Sequence, residues 1–276
     1  MEKRLTTLLF FLALIANVAT YGQDVSDTVQ YRFSYAMKLK AFENQDYYNE
    51  DEIRLEVGKK YTRSYSRWRE GNLLITDSVM RHGGSSSDIL NAVQTRGFHH
   101  PNFDFEVWGN YPADGKRTVV WHQIQKQYYE EDHLPQEWTP VEGDTVLLGY
   151  NCMKAHASFR GRGWTVWYAV DIPISLGPWK LSGLPGIILK AEDDHHDFVF
   201  ECIGIDASCR EPIVLRNKRM TKTTPQKIQQ MLTGMGDDPS LAFGMLGMDA
   251  QMAMPNGRPV SMPSASPCLI EYFVRE

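Results

Sequence analysis

Alternation of apolar and polar residues with a period of two is the strongest pattern in the chain. From Val29 to Leu39, every second residue is apolar or aromatic and most of the residues between them are polar. Successive side chains of a strand point to opposite faces, so this pattern indicates a strand with one buried face. Shorter alternations follow at 53–57 and 103–107. A chain made of such segments has to bury one face of a β-sheet.

Turn-forming residues separate further strand-like segments in the second half of the chain. We predict strands at 146–149, 152–159, 164–169, 187–191 and 198–205. Helices are predicted at 88–94, with Asp88 as the cap, and at 223–232, with Thr224 as the cap and Pro225 in the first turn. The sequence therefore predicts a mainly β (α+β) fold, a curved antiparallel sheet or open half-barrel with one or two short helices.

The composition fits a single β-rich domain over residues 23–233. The chain has 276 residues, of which 42% are hydrophobic and 23% charged, with a net charge of −5. This supports a real core, and the mild acidity disfavours nucleic-acid binding. Residues 234–268 are rich in Met, Gly and Pro without periodicity, which predicts a loop or a partly disordered segment. Residues 269–276 are apolar enough for a terminal strand.

The first 22 residues have the organisation of a secretory signal peptide. Lys3 and Arg4 precede an apolar run over 5–19, and cleavage is expected after Gly22. A membrane anchor is the alternative, but the run is short for a span of about 20 residues. We therefore expect export to the periplasm or cell envelope, and a mature protein that does not span the membrane.

Four cysteines form an even set, which allows three disulfide connectivities in an oxidising compartment. Cys202 and Cys209 are close enough in sequence to staple the turn after a strand, and Cys152 with Cys268 would tie the last segment to the middle of the fold. Buried free thiols are the alternative, since free cysteine often behaves as a small hydrophobic residue. The sequence contains no CxxC pair, so it supports neither a redox motif nor a zinc ribbon.

Motifs of common enzymes are absent from the sequence. The chain contains no GxSxG, P-loop, GxGxxG or HExxH motif. Cys152 and His156 lie four residues apart on a predicted strand, about 13 Å and therefore beyond the hydrogen-bond reach of a nucleophile and its base. We expect a non-enzymatic protein without a cofactor.

Two groups of residues could bind a metal. His195 and His196 stand among three aspartates at 193–197, a ligand set that suits zinc, copper or nickel. A solvated polar turn is favoured there, because adjacent side chains on a strand diverge. The second group consists of methionines in the C-terminal part of the chain: Met245, Met248, Met252 and Met254. Thioethers select Cu(I), although methionine also fills gaps in apolar surfaces.

Aromatic residues cluster around the Gly-Pro turns. Trp164, Trp167, Tyr168 and Trp179 lie close together in the sequence. A curved sheet lined with aromatic side chains can hold an apolar ligand. Packing of these rings in a core is the favoured alternative.

A glycine- and proline-rich motif in the middle of the chain consists of Gly183, Leu184, Pro185, Gly186, Ile187 and Ile188. Ordered blocks precede it at 149–155, 159–168 and 172–180. Together, the motif and the blocks resemble the GLPGLI family of exported Bacteroidetes proteins. The resemblance implies export to the periplasm or outer surface, and it supplies no activity and no catalytic residues.

The same blocks have a structural logic of their own. Gly183, Pro185 and Gly186 suit a tight turn with unusual backbone angles before a strand. Arg160 and Arg162 could bind a carboxylate or phosphate, or they could form structural ion pairs with Asp193 or Asp194, the favoured interpretation.

The sequence therefore favours an exported, non-enzymatic binding protein for an apolar ligand or an envelope partner protein. The alternative function is copper handling by the Met-rich segment. Nucleic acid is not an expected partner.

Overall fold

The computed structural model describes residues 26–96, 99–122, 126–215, 220–237 and 266–273. The predicted signal peptide lies outside these residues, and so does most of the predicted Met-rich segment. The described residues form a mainly β fold, as the alternation predicts.

Fourteen strands are formed in this part of the chain. They are β1 (Ser26–Thr28), β2 (Tyr31–Leu39), β3 (Asn49–Val57), β4 (Thr62–Ser66), β5 (Phe105–Gly109), β6 (Lys116–Trp121), β7 (Gln127–Asp132), β8 (Thr139–Leu147), β9 (Tyr150–Phe159), β10 (Arg162–Ala169), β11 (Ile187–Asp193), β12 (Phe198–Asp206), β13 (Pro212–Val214) and β14 (Thr221–Lys222). Three helices accompany them: α1 (Arg67–Arg81), α2 (Ser86–Thr95) and α3 (Pro225–Asp237).

Twelve of the strands form one open sheet. Their order is β14-β7-β6-β5-β4-β3-β2-β12-β11-β10-β9-β8, and β1 pairs separately with β13. The neighbours are antiparallel except β14 and β7, which run parallel. Glu131 of β7 bonds the Arg160 side chain at the end of β9, although most of the sheet lies between those two strands. The sheet is therefore strongly curved, so that β7 and the end of β9 meet across its concave face.

The main core fills the concave face. On β2 the side chains of Phe33, Tyr35 and Met37 are fully buried, as the period of two predicts. Val107 joins the same core, while its neighbour Trp108 belongs to a second, smaller cluster. Adjacent residues of a strand point to opposite faces, so β5 is covered on both sides.

The helices differ from expectation in number and in capping. Helix α1 was not predicted, because Ile75 is its one fully buried residue and so the helix carries little apolar periodicity. Helix α2 is capped by Ser85, and Asp88 instead completes a capping box from the third helical position. Helix α3 begins as predicted, with the Thr224 hydroxyl accepting from the amide of Lys227 at 3.3 Å. No described helix is long and apolar enough to cross a membrane.

The described C-terminal segment, residues 266–273, does not form the expected terminal strand. Apart from an isolated bridge between Pro267 and Phe42, its backbone bonds to scattered elements. The Cys268 amide donates to the Ala41 carbonyl at 2.9 Å, and the Tyr272 amide donates to the Arg160 carbonyl at 2.8 Å. The segment therefore runs across several elements and does not extend the sheet edge.

A long loop, residues 170–186, carries the GLPG residues and leads into β11. Gly183 has a φ of +103°, a conformation that L residues with a side chain rarely adopt. Gly186 is buried against the backbone of β10, where an added Cβ would overlap the Ala169 carbonyl oxygen. Leu184 is buried and Ile187 begins β11 in the core. The conformation of the loop thus depends on the positive φ angle of Gly183 and on the close approach of Gly186 to the backbone of β10.

Replacing Gly186 with alanine is expected to lower the free energy of unfolding by about 1–3 kcal/mol, because the new Cβ can be accommodated only by moving backbone. Urea unfolding of purified protein measures this. Gly204→Ala on β12 is the matched control, since a Cβ there meets no atom within 4 Å. Equal losses of unfolding free energy in the two variants would contradict the close approach of Gly186 to the backbone of β10.

Candidate functional site

An apolar cleft of about 140 Å³ lies between helix α3, the C-terminal segment and the concave face of the sheet. Most of its wall is made of apolar side chains. They include Leu39, Phe103, Phe105, Trp121, Phe198, Ile228, Leu232, Leu269, Ile270 and Phe273. Its position at the meeting point of three elements makes this cleft the candidate ligand site.

The walls of the cleft come from helix α3, strand β6 and the C-terminal segment. Ile228 and Leu232 are four residues apart, so they lie on the same face of α3. Trp121 ends β6 with its ring 1% exposed, and its indole nitrogen has no hydrogen-bond acceptor in the described part of the chain. Phe273 of the C-terminal segment is fixed to α3, because its amide donates to Gln229 Oε1 at 2.6 Å.

A buried ionic cluster closes one end of the cleft. Lys180, with its side chain 0% exposed, lies 2.6 Å from Glu271 Oε2 and 3.1 Å from Glu131 Oε1. Its ammonium also donates to the Tyr129 hydroxyl at 2.8 Å, and that hydroxyl donates to Glu271 Oε1 at 2.7 Å. Burial and the two carboxylates hold the pKa of Tyr129 well above its usual range. We call Lys180, Glu131, Glu271 and Tyr129 the lysine cluster; it ties the C-terminal segment to β7.

Arg162 holds the C-terminal segment at a second point. Its guanidinium donates to the Leu269 carbonyl at 2.7 Å and makes the expected ion pair with Asp193 at 2.5 Å. Asp197 adds a second carboxylate at 3.1 Å. Arg160, by contrast, pairs with Glu131 at 3.0 Å and not with either predicted aspartate.

The predicted aromatic ligand surface is not formed. Trp164 and Trp179 are buried in the main core with their ring centroids 5.6 Å apart, and Tyr168 is buried as well. Trp167 is partly exposed on the opposite face of β10, where the ammonium groups of Lys154 and Lys190 lie over its ring. Since successive strand residues face opposite sides, the four rings cannot line one open surface. The core alternative is the one the structure adopts.

The expected disulfides are not formed, and all four cysteines are buried free thiols. Cys202 lies in the main core and Cys209 in the second cluster, so the two are not brought together. Burial raises the pKa of Cys202 to about 11 and that of Cys268 to about 12. Thiols held in the protonated form are poor nucleophiles and poor metal ligands.

The predicted metal ligands do not converge in the described part of the chain. His195 and His196 are exposed in the turn between β11 and β12, and the His196 carbonyl accepts from the Tyr48 hydroxyl. The described residues contain no group of three His, Cys, Asp or Glu side chains that could hold a metal ion. The four candidate copper ligands, Met245, Met248, Met252 and Met254, lie outside the described residues.

A second buried ionic cluster was missed by sequence reasoning. Glu106 accepts from Arg63 Nε and Trp108 Nε1, both at 2.7 Å, and lies 2.6 Å from His122 Nε2. His122 Nδ1 is buried without a hydrogen-bond partner among the described residues. The adjoining cavity of about 40 Å³ has room only for a few water molecules. The arrangement therefore orients a histidine but leaves no space for a substrate.

The signal for that cluster was present but weak. Arg63 and Glu106 are charged residues inside otherwise strand-like segments, on β4 and β5. Their pairing depends on how strands far apart in sequence meet, which alternation does not specify.

Comparison with known proteins adds one short match. Residues 160–190 match the model of a family described as "Protein of unknown function (Porph_ging)", a Bacteroidetes-associated domain. This stretch contains Arg160, Arg162, Lys180 and the GLPG turn. Membership of the GLPGLI family stays a prediction, because that name is not confirmed by the match.

Two solved structures resemble the fold at low identity. They are described as "Structure of PNGF-II in C2 space group" and "Structure of PNGF-II in P21 space group", with sequence identities of 17% and 16%. Each has a TM-score of 0.47 and aligns with 75% of this chain. The chain spans about a third of their length, 32% and 33% respectively. No curated protein matches the chain.

Glu106 is expected to stabilise the protein only above acidic pH. Burial alone would raise its pKa, but Arg63 and His122 outweigh burial and hold the pKa well below the ordinary value of 4.5. A carboxyl group with a depressed folded pKa contributes stability above its unfolded pKa and loses it as the pH falls. Glu106→Gln should therefore destabilise the protein by about 3–5 kcal/mol at neutral pH, and the difference from wild type should shrink in acid.

Urea unfolding at neutral pH and at about pH 3 measures this difference below the reference carboxyl pKa of about 4.3. Glu50→Gln, at an exposed position, is the control and should match wild type at both values. A loss of stability in Glu106→Gln that does not change with pH would rule out the ion pair as its cause.

Proposed function

We propose that this protein is an exported, non-enzymatic binding protein whose apolar cleft under α3 takes a small apolar ligand. The observation that carries the proposal is the cleft itself, about 140 Å³ in volume and bounded mainly by hydrophobic side chains. A concave, mostly apolar cavity is the usual form of a small-molecule site. The Bacteroidetes-associated match and the signal-like residues 1–22 support a location in the periplasm or cell envelope.

The volume of the cleft limits the ligand. An apolar cavity of about 150 Å³ is large enough to bind benzene, whereas sites for drug-sized molecules measure about 300–1,000 Å³. The cleft therefore suits a single ring, a short alkyl chain or one end of a longer apolar molecule. An apolar group of this size also gains the free energy of leaving water, about 25 cal/mol per Å² buried.

The titratable groups around the cleft favour binding over catalysis. Glu271 and Tyr129 are bonded to each other and to Lys180. Lys40 pairs with Asp197 at 3.4 Å. Groups engaged in this way hold the walls in place and offer the ligand apolar contact.

Toluene is expected to bind in the cleft and to shift the methyl NMR signals of Ile228 and Leu232 in a saturable manner. Filling the cleft with Leu232→Trp should abolish the shift at Ile228, because the indole takes up the space that the probe needs. Leu90→Trp is the matched control, since Leu90 is 58% exposed on α2, away from the cleft.

Absence of a saturable shift in wild type would overturn the binding proposal. Equal binding by the Leu232→Trp variant would place the ligand elsewhere. The location is tested on the same full chain, whose recovery from the cytosol with residues 1–22 intact would contradict export.

A further inference from the structure

Arg117 is a buried cation without a carboxylate partner among the described residues. It lies on β6 with 3% of its surface exposed, on the same face as Val119. Its guanidinium donates from Nη2 to Ser182 Oγ at 3.1 Å. In the ranges that the structure describes, no carboxylate oxygen lies within 4.0 Å of its guanidinium. Burial lowers the pKa of Arg117 to about 10, which still leaves it charged at neutral pH.

The neighbouring carboxylates are already used by other cations. Glu131 stands directly opposite Arg117 in the β6–β7 register, yet its Oε2 accepts from Arg160 at 3.0 Å. Its Oε1 lies 3.1 Å from the Lys180 ammonium, an ion pair without a hydrogen bond. Glu271 bonds Lys180 at 2.6 Å. The described residues thus place no carboxylate in direct contact with the Arg117 guanidinium, and Glu131 and Glu271 act on its charge only from a longer distance. A buried charge without a direct partner is destabilising, and a bound anion would remove that penalty.

A cavity of about 380 Å³ lies against Arg117. Arg117 and Arg160 both line it, together with three carboxylates, Glu131, Asp132 and Glu137. Asp132 is paired with Lys116 at 2.6 Å. The Nε of Arg160 is buried and has no acceptor among the described residues. Repulsion between the two guanidinium groups contributes to lowering the pKa of Arg117. Two cations that share one cavity, with donors left over, form a site of the kind that recognises a planar or tetrahedral oxyanion.

We propose that the cavity between Arg117 and Arg160 binds the oxyanion of a small ligand, a carboxylate, sulfate or phosphate group. The guanidinium groups supply charge-assisted hydrogen bonds from two sides. This site lies on the other side of the lysine cluster from the apolar cleft, with Tyr129 on the cleft side and Glu131 on the cavity side. The proposal does not depend on an apolar ligand.

His133 reports on the charge in this cavity. Its Nε2 lies 3.2 Å from Ser182 Oγ, the same oxygen that accepts from Arg117. Burial and the charge of Arg117 lower the pKa of His133 to about 4, while Glu131 acts in the opposite direction. An anion bound beside Arg117 offsets the positive charge, so the imidazole signals of His133 should move when the site fills.

The test is a titration of the labelled full chain with sodium phosphate, sodium sulfate or sodium succinate at constant ionic strength. NMR signals of the His133 ring are followed. At least one of the three anions is expected to give a saturable shift, and their ranking separates a tetrahedral anion from a carboxylate. Arg117→Gln should weaken the binding about tenfold to a hundredfold, the effect of losing hydrogen bonds to a charged group.

Arg81→Gln is the matched control, because it removes an exposed arginine of α1, and it should bind like wild type. Replacing a buried charge that has no direct carboxylate partner should leave the fold intact, and the amide spectrum checks this. If Arg117→Gln does not fold, Arg160→Gln replaces it, with the same expected loss of binding. No saturable shift with any of the three anions would overturn the proposal. Equal affinity in the wild type and in the folded arginine variant would overturn it too.

Discussion

The buried ammonium of Lys180 is the contact on which the rest of the structure depends. It joins the loop before β11 to Glu131 on β7 and to Glu271 in the C-terminal segment, at 3.1 and 2.6 Å. These elements are far apart in sequence, and hydrogen bonds of the sheet do not connect them. Removing one member of a buried ion pair costs about 3–5 kcal/mol, a large share of the stability of a domain. The curved sheet is therefore closed by charge as well as by apolar packing.

The lysine cluster also divides the concave side of the sheet into two chemically different spaces. On one side, Trp121 and α3 enclose an apolar cleft. On the other, Arg117 and Arg160 line an ionic cavity together with Glu131, Asp132 and Glu137. Trp121 and Arg117 are four residues apart on the same strand, about 13 Å at the rise of a β-strand. One strand thus contributes to a hydrophobic site at one end and to an ionic site at the other.

The sequence predicts the strands whose residues alternate, because alternation is a local property, and it misses β1, β7, β13, β14 and most of β8. Phe33, Tyr35 and Met37 face the core as their spacing requires. Helix α1 was missed because a helix with one buried residue has no clear apolar stripe. The cleft and the cavity could not be predicted, since each is assembled from elements brought together only by the curvature of the sheet. Arg117 shows the same limit: it follows Lys116 in a strand segment, and only the fold shows that one of the two cations is buried.

Hydrogen exchange of the C-terminal segment in a Lys180→Met variant tests the role of the lysine cluster most directly. The amides of Cys268 and Tyr272 should exchange about a hundredfold faster or more than in wild type, because the ion pair that holds their segment is lost. Lys116→Met, which removes an exposed ion pair with Asp132, should leave the exchange rates of the Cys268 and Tyr272 amides unchanged. Unchanged protection of Cys268 and Tyr272 in Lys180→Met would contradict the view that this charge holds the structure closed.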